Sequence, residues 1–220
     1  MKAVIFDLDG VLVDSEPLLF EAERVALAEM GVELTEEIKK PFIGMGGMEV
    51  MQALLDYFEL DGDVEAFAAR KVDVYLELAR TVAGFAPTAE MVRALAADGV
   101  PLAIASGSNP EGIRTCLTAI GLNDFFPVQV SVMSVPRGKP APDVFLAAAE
   151  QLGVDPASCV VIEDAIHGVE AAHAAGMRAI AIPTVTDPLD PGFRKADLLV
   201  ADGMTAADAS ELIAWVRSRY

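Results

Sequence analysis

Six short, mainly apolar runs recur along this chain of 220 residues, and each has the length of a single β-strand. They occupy residues 2–6, 102–105, 128–130, 160–162, 179–182 and 198–200. Most of them are apolar at consecutive positions, which indicates strands that are buried on both faces, as in a parallel sheet. Helical patterns separate most of the runs. Alternating strands and helices predict a doubly wound, Rossmann-like α/β fold.

The region from about Ser15 to Gly84 interrupts this alternation, because it contains no convincing strand. Its helical patterns span residues 17–30, 36–40, 48–59 and 64–79. We therefore expect two domains, an α/β core of residues 1–14 and 85–220 and an inserted all-helical cap of residues 15–84. The two connections between them could act as a hinge.

Residues that cap helices mark several of the predicted helix starts. Thr35, Asp63, Thr88 and Asn109 are each interpreted as the cap of the helix that follows, and Pro142 as the start of another.

One face of the predicted helix at 48–59 is a stripe of apolar residues, which predicts core packing. The stripe consists of Val50, Met51, Leu54, Leu55 and Phe58. Four acidic residues of the helical region are expected to lie on a solvated face; they are Glu21, Glu23, Glu36 and Glu37.

The net charge of the chain is −18, from 16 Lys and Arg against 34 Asp and Glu. This charge argues against nucleic acid as a partner, because nucleic-acid binding needs a basic surface. It would also repel a small anion, unless a local cation and a few basic groups reverse the field in one cleft.

Membrane insertion and secretion are not expected from the sequence. No run approaches the roughly 18 uninterrupted apolar residues of a membrane span. Only four apolar residues separate Lys2 from Asp7, which is too short for a signal peptide, so a cytoplasmic protein is expected. Cys116 and Cys159 have no partners at metal-ligand spacing and are expected to be buried, reduced thiols.

Polar residues follow several of the predicted strands directly. Asp7 and Asp9 follow the first strand, and Ser106 follows the second. Glu163 and Asp164 follow "VVI", the fourth predicted strand. Lys139 lies in the loop "RGKPAPD", just before a predicted helix. Ligands of open parallel sheets bind beyond the carboxyl ends of the strands, where the strand order reverses. The side chains are therefore expected to meet at one site.

Each residue type in this set suits phosphoryl transfer. Several carboxylates at one place form a hard-oxygen site for Mg²⁺, which takes few protein ligands and would compensate their negative charge. A carboxylate can also attack phosphorus and form an aspartyl-phosphate. A metal ion, a lysine, a hydroxyl and backbone N–H groups can together neutralise the phosphoryl oxygens. A second carboxyl two residues further on could protonate the leaving oxygen and later deprotonate water.

Four segments carry a family resemblance, in the same order along the chain. "FDLDGVLVDSE", "ASGSN", "GKPAPDVF" and "VIEDAIHGVEAAHAAGM" resemble the four motifs of the haloacid dehalogenase-like superfamily. More narrowly, they resemble the β-phosphoglucomutase-like and sugar phosphatase group, which has a helical cap inserted after the first motif. The resemblance extends from Val4 to about Met177.

The resemblance implies a role for each matching residue. Asp7 would be the nucleophile and Asp9 the general acid and base. Ser106, Gly107 and Lys139 would bind the phosphoryl group, with Lys139 also offsetting charge on the nucleophile. The Asp7 carboxylate, the Asp9 backbone carbonyl and Asp164 would bind Mg²⁺. Glu163 would assist, either as a direct metal ligand or by orienting the groups that bind the metal.

Asp9 separates the possible reactions of such a family member. Relatives that cleave carbon–halogen or carbon–phosphorus bonds lack an acid at this position, so its presence favours transfer from a phosphate ester. The related mutases carry a histidine where this chain has Leu19, and basic residues beside the loop that here reads "FIGMGGM". Ala165 stands where many relatives have Ser or Thr.

The expected function is therefore an Mg²⁺-dependent phosphatase that acts on a small phosphorylated metabolite, a sugar or polyol phosphate, through an aspartyl-phosphate. The cap would close over the substrate. A phosphomutase with the same intermediate and a non-catalytic binder of phosphate esters are the alternatives. His167 and His173 are not expected to form a metal pair, and a monomer is the default expectation for the oligomeric state.

Overall fold

Six parallel strands form one sheet in the computed structural model, which describes residues 2–42, 45, 47–184 and 190–218. The strands are β1 (Ala3–Phe6), β2 (Leu102–Ser106), β3 (Val128–Ser131), β4 (Cys159–Glu163), β5 (Arg178–Ala181) and β6 (Leu198–Leu199). They lie in the order β3-β2-β1-β4-β5-β6, and every neighbouring pair is parallel. The predicted doubly wound α/β fold is confirmed.

The described residues also form nine α-helices. These are α1 (Glu16–Glu29), α2 (Glu36–Lys39), α3 (Gly47–Tyr57), α4 (Val64–Leu78), α5 (Ala86–Ala97), α6 (Pro110–Ala119), α7 (Asp143–Leu152), α8 (Ile166–Ala174) and α9 (Ala209–Arg217). Over the ranges that the structure covers, none of the helices has both the length and the apolar character to cross a membrane.

The order in which strands are added to the sheet reverses next to β1. The chain passes from β1 to β2 and β3 on one side, and then returns to β4 on the other side of β1. Because crossovers between parallel strands are right-handed, the connections of the two halves cover opposite faces of the sheet. The crevice that this reversal opens lies at the carboxyl ends of β1 and β4, which is where ligands of such sheets bind.

The chain divides into two compact units, Met1–Asp14 with Val82–Tyr220 and Ser15–Thr81. In the first unit, apolar residues of the central strands pack against the helices that flank the sheet. Ile5 of β1 and Val161 of β4 are completely buried, as are Phe145 of α7 and Val169 of α8. Strands with no solvated face explain why their sequences are apolar at consecutive positions.

The second unit, Ser15–Thr81, has its own apolar core. Val50, Met51, Leu54 and Leu55 of α3 are buried against Leu27 of α1 and Phe67 of α4, among others. Phe58 lies just beyond the end of α3 and packs, partly buried, against the same cluster. The predicted apolar stripe is therefore confirmed as core packing.

Three of the predicted helix caps are confirmed by hydrogen bonds. Thr35 Oγ1 accepts from the Ile38 backbone N–H, and the carboxylate of Asp63 accepts from the Glu65 N–H. The side-chain carbonyl of Asn109 accepts from the Gly112 N–H at 2.8 Å. Each of these bonds satisfies a backbone donor that the helix start would otherwise leave without a partner.

The predicted cap at Thr88 is wrong. Helix α5 begins at Ala86 after Phe85, and Pro87 occupies its first turn, where the missing N–H of proline costs nothing. Thr88 lies inside the helix and its hydroxyl donates to the Val11 backbone carbonyl at 2.7 Å. Its polar group therefore joins α5 to the segment after β1. Pro142 is the residue that directly precedes α7.

The interpretation of Glu23 as a solvated residue is also wrong. Its side chain is only 2% exposed, and its two carboxylate oxygens accept from Lys39 Nζ at 2.5 Å and from Lys71 Nζ at 2.9 Å. The two lysines lie on α2 and α4, so one carboxylate on α1 joins three helices of the second unit. Helix periodicity did not reveal this, because both partners are distant in sequence. Glu21, on the same helix, is 37% exposed and pairs with Arg24, in agreement with the prediction for that residue.

We expect Glu23→Gln to destabilise the protein, because two nearly buried ammonium groups would lose the counter-charge that they share. Removing one partner of a buried ion pair costs about 3–5 kcal/mol, and the slight exposure of both lysines reduces the expected loss to about 2–3 kcal/mol. Urea unfolding followed by circular dichroism measures it. Glu21→Gln, which disrupts an exposed pair on the same helix, is the matched control and should change the unfolding midpoint far less. Equal midpoints for the two variants would contradict the assignment of Glu23 to the core.

Both cysteines are free and buried, as expected. Burial and, to a smaller extent, Asp155 raise the pKa of the Cys159 thiol to about 11. A thiol with so high a pKa carries little thiolate near neutral pH and is a poor nucleophile.

Candidate active site

Side chains from three adjacent strands meet at the carboxyl edge of the sheet. Ser106 is the last residue of β2, Glu163 is the last residue of β4, and Asp7 directly follows β1 between them. Phe6 is in register with both Ile104 and Ile162, so the three strands end at nearly the same level. The register therefore brings Asp7 together with residues that are about 100 and 160 positions further along the sequence.

Lys139 lies at the centre of this group. Its Nζ donates to Asp7 Oδ1 at 2.5 Å, to Glu163 Oε1 at 2.6 Å and to the Ala105 carbonyl at 3.0 Å. The ring of Phe145 covers the ammonium group, with 5.0 Å between Nζ and the ring centroid. Burial alone would lower the pKa of Lys139, but the carboxylates of Asp7 and Glu163 outweigh it and the pKa is raised. Lys139 therefore remains a cation.

Asp7 is only 6% exposed, and three other carboxylates act on it electrostatically. Burial raises the pKa of Asp7 well above its usual value; Lys139 opposes this shift, whereas Glu163, Asp164 and Asp9 add to it. One ammonium group therefore faces a surplus of negative charge. Such an environment suits a further cation close to Asp7.

Asp9 is held by two serines, Ser106 at the end of β2 and Ser108 in the loop that follows. The Ser108 hydroxyl donates to Asp9 Oδ2 at 2.7 Å, and the Ser106 hydroxyl lies 3.4 Å from the same oxygen. The Ser108 carbonyl in turn accepts from the hydroxyl of Ser131, the last residue of β3. Ser106 was identified from the sequence, but Ser108 and Ser131 were not. The only signal for Ser108 was its place within "ASGSN".

Gly107 lies between Ser106 and Ser108 in the sequence. A side chain at this position would meet no other atom within 4 Å, so there is open space beside its backbone. A phosphoryl group could approach the chain there closely, which is consistent with the phosphate-binding role expected of this residue.

Glu163 has partners for both of its carboxylate oxygens. Oε1 accepts from Lys139, and Oε2 accepts from the backbone N–H groups of Asp164 and Ala165 at 3.0 Å each. These two N–H groups directly precede α8, where the helix dipole also favours a negative charge. The carboxylate lies so close to Gly168 that a Cβ there would overlap it. Gly168 is thus a site residue that the sequence did not single out.

We expect Gly168→Ala to lower both stability and activity, because the added methyl group must displace the Glu163 carboxylate from Lys139 and from the start of α8. Overpacking of this kind costs about 1–3 kcal/mol. The thermal midpoint and the initial rate of phosphate release measure the two effects. Gly47→Ala is the control, since a Cβ at that helical position meets nothing within 4 Å. A Gly168→Ala variant as stable and active as the control would contradict the close packing of Glu163.

Asp164 follows Glu163 in the sequence, and one oxygen of its carboxylate accepts a hydrogen bond. Its Oδ2 accepts from the Thr184 hydroxyl at 2.6 Å. Burial and the charge of Glu163 raise the pKa of Asp164 to about 7, although Thr184 and Lys139 favour its charged form. Asp7 and Asp164 are close enough for the charge of Asp164 to raise the pKa of Asp7.

These residues fit Mg²⁺ by the chemistry of their oxygens. Among the described residues, no three or more His, Cys, Asp or Glu side chains are gathered in metal-binding geometry. Mg²⁺ does not need such a cage, because it usually keeps several waters and binds one or two carboxylates. Asp7 and Asp164 would supply two carboxylates in a place with surplus negative charge, and the backbone carbonyl of Asp9 would be the third ligand that the family resemblance implies.

The structure describes only part of one loop named from the sequence, and it describes both histidines. In the loop "FIGMGGM", residues 43, 44 and 46 are outside the described ranges. His167 is exposed, and His173 Nε2 lies 3.2 Å from Asp197 Oδ2.

Comparison with known proteins gives matches over most of the chain. A family model described as haloacid dehalogenase-like hydrolase matches residues 1–176. Hexitol phosphatase B of Escherichia coli (strain K12) is 33% identical over 217 residues, which cover 96% of this chain and 96% of that protein. A protein of Arabidopsis thaliana, SUPPRESSOR OF QUENCHING 1, chloroplastic, is 40% identical over 189 residues, but these cover 84% of this chain and only 18% of that protein.

A solved structure resembles the chain over its whole length. It is the crystal structure of a HAD family hydrolase from Deinococcus radiodurans R1 with bound phosphate and sodium. The TM-score is 0.75 and the sequence identity 31%, with 100% of this chain and 96% of that chain covered.

Proposed function

Since this chain belongs to the haloacid dehalogenase-like hydrolases and is a phosphatase, we propose that Asp7 is its nucleophile and that it hydrolyses the phosphate monoester of a sugar or polyol. The observation that carries the proposal is the buried ion pair between Asp7 and Lys139 at the carboxyl edge of the sheet. Lys139 holds one oxygen of the Asp7 carboxylate and fixes its orientation. The other oxygen can then attack phosphorus.

In the first step, a bond forms between an Asp7 oxygen and phosphorus while the bond from phosphorus to the ester oxygen breaks. Asp9 gives its proton to the departing alcohol. Asp9 then takes a proton from water, the water oxygen attacks phosphorus, and inorganic phosphate leaves with Asp7 regenerated. Ser106, Gly107 and Lys139 bind the phosphoryl oxygens throughout.

The cofactor is proposed to be Mg²⁺, held by the carboxylates of Asp7 and Asp164 and the backbone carbonyl of Asp9. When bound, it neutralises phosphoryl charge as a Lewis acid. Both Glu163 oxygens already accept hydrogen bonds, from Lys139 and from the start of α8. We therefore assign Glu163 the role of holding Lys139 and the Asp164 backbone in place, rather than that of a metal ligand.

One observation supports the proposed substrate class, and a second supports hydrolysis over isomerisation. Hexitol phosphatase B of E. coli, whose name states its substrate class, aligns with this chain over nearly the full length of both proteins. Leu19 stands where related mutases carry a histidine, which argues against a second role in sugar isomerisation. A monomeric state and a cytoplasmic location remain predictions from the sequence.

The experiment that tests this function is a phosphate-release screen over sugar, polyol and nucleotide monophosphates with Mg²⁺ present. We expect the highest kcat/KM with a hexose or hexitol phosphate, and free phosphate equal in amount to the ester consumed. A phosphomutase would instead give an isomerised sugar phosphate with little free phosphate. Binding without any phosphate release would identify a non-catalytic binder.

Chelation of divalent metal is expected to lower the rate of phosphate release by at least about 10²-fold, because the charge on the phosphoryl oxygens would then lack its main counter-charge. Added Mg²⁺ should restore the rate, and a calcium-loaded sample controls for an effect of chelation on the fold. A rate that is indifferent to chelation would argue against the metal site.

A further inference from the structure

Thr184 contacts the proposed metal site although it lies outside all four sequence motifs. It follows β5, and β5 pairs with β4 so that Ala181 is in register with Glu163. This register carries the chain beyond β5 alongside Asp164. There the Thr184 hydroxyl donates to Asp164 Oδ2 at 2.6 Å, a short hydrogen bond from a neutral donor to a carboxylate.

The backbone of Gly10 closes in on the same side of Asp164. Gly10 has a positive φ of +75°, and a Cβ on it would overlap the Asp164 carboxylate and lie 2.8 Å from Thr184 Oγ1. Thr184 and Gly10 therefore pack against the carboxylate together. Within the described part of the chain, one hydrogen-bond donor, the Thr184 hydroxyl, contacts Oδ2 of Asp164, and none contacts Oδ1.

We propose that Thr184 is a positioning residue for the cation, and that its hydroxyl fixes the Asp164 carboxylate by Oδ2 so that Oδ1 is presented to Mg²⁺. The inference rests on the proposed function, because that function supplies the cation. Partners that orient a metal ligand typically change metal affinity by about 10–100-fold when removed. Thr184 is exposed and does not belong to the apolar core, so its replacement should leave the fold intact.

The test compares Thr184→Val, which keeps the shape but removes the donor, with Thr184→Ser, which keeps the hydroxyl. The dissociation constant of Mg²⁺ is measured by calorimetry on the substrate-free protein. We expect Thr184→Val to bind Mg²⁺ about 10-fold more weakly and Thr184→Ser to stay within about 2-fold of the parent. At saturating Mg²⁺, the kcat of the valine variant should return to near the parent value.

The thermal unfolding midpoint, measured without metal, distinguishes an effect on metal positioning from an effect on folding. We expect the same midpoint for the parent, Thr184→Val and Thr184→Ser. If Thr184→Val proves unstable, Thr184→Ala removes the same donor without adding bulk and decides the question. Equal Mg²⁺ affinity in the parent and the donor-free variant would overturn the inference, as would a parent protein that does not bind Mg²⁺. A parent that binds Mg²⁺ in a Thr184-dependent way but releases no phosphate would overturn the proposed function alone.

Discussion

Replacing Asp7 by asparagine is expected to lower kcat by about 10⁴-fold or more, since losing a nucleophile removes the covalent route altogether. The fold should survive. An amide has nearly the shape of a carboxylate, its oxygen can still accept from Lys139, and the change removes one negative charge from the repulsion among Asp7, Glu163, Asp164 and Asp9. Phosphate release under single-turnover conditions measures the rate, and circular dichroism checks the fold.

Asp9→Asn is the matched control for that experiment. If Asp9 protonates the leaving group, its loss should slow release of the alcohol severely with an alkyl phosphate and much less with p-nitrophenyl phosphate, whose leaving group needs little protonation. The measured quantity is the first-turnover release of the alcohol or of p-nitrophenol, because Asp9 also serves the later attack of water. Asp7→Asn should be equally inactive with both substrates. A near-normal rate for the Asp7 variant would exclude it as the nucleophile.

Lys139→Met is expected to destabilise the α/β unit strongly. It removes the cation that lies 2.5 Å from the Asp7 carboxylate and 2.6 Å from that of Glu163, both nearly buried. Leaving a buried charge without its partner costs about 3–5 kcal/mol, and here two carboxylates would lose the same partner. The free energy of unfolding from urea titration measures it, and phosphatase activity should disappear as well.

Two further variants make the result for Lys139 decisive. Lys195→Met removes a lysine that pairs with Glu170 at an exposed position of the same unit, and it should change stability little. Adding Glu163→Gln to Lys139→Met should recover part of the lost stability, because it removes one of the two uncompensated charges. A Lys139 variant as stable as the Lys195 variant would show that the central ion pair contributes little.

Much of the fold follows from local patterns. All six strands and eight of the nine helices of the described residues coincide, within a few residues, with apolar runs or helical patterns in the sequence, whereas α9 was not predicted. Such signals are local, since strand and helix periods are read within a few turns of chain. Thr88 shows their limit. A threonine near a predicted helix start resembles a cap, but the residue in the cap position is Phe85, three residues before Thr88, and Pro87 lies in the first turn.

The contacts within the candidate site were harder to foresee. Asp7, Ser106, Lys139 and Glu163 stood out because their residue types and places after strands suited one chemistry. Gly168 did not, because its overlap with Glu163 depends on how the chain turns between β4 and α8. Ser108 and Thr184 did not, because each depends on a partner that is 99 or 20 residues away in sequence. Glu23 was misread for the same reason, since its lysine partners are 16 and 48 residues away in sequence.

The central position of β1 in the sheet also bears on how the site forms during folding. Asp7 is 132 residues from Lys139, and Asp9 is 99 residues from Ser108. Such non-local contacts form slowly, because the intervening chain must first lose most of its conformational freedom. Asp7 is therefore expected to stay hydrated until the loop of Lys139 has docked beside it, and the ion pair that orients its carboxylate forms only once these distant segments have come together.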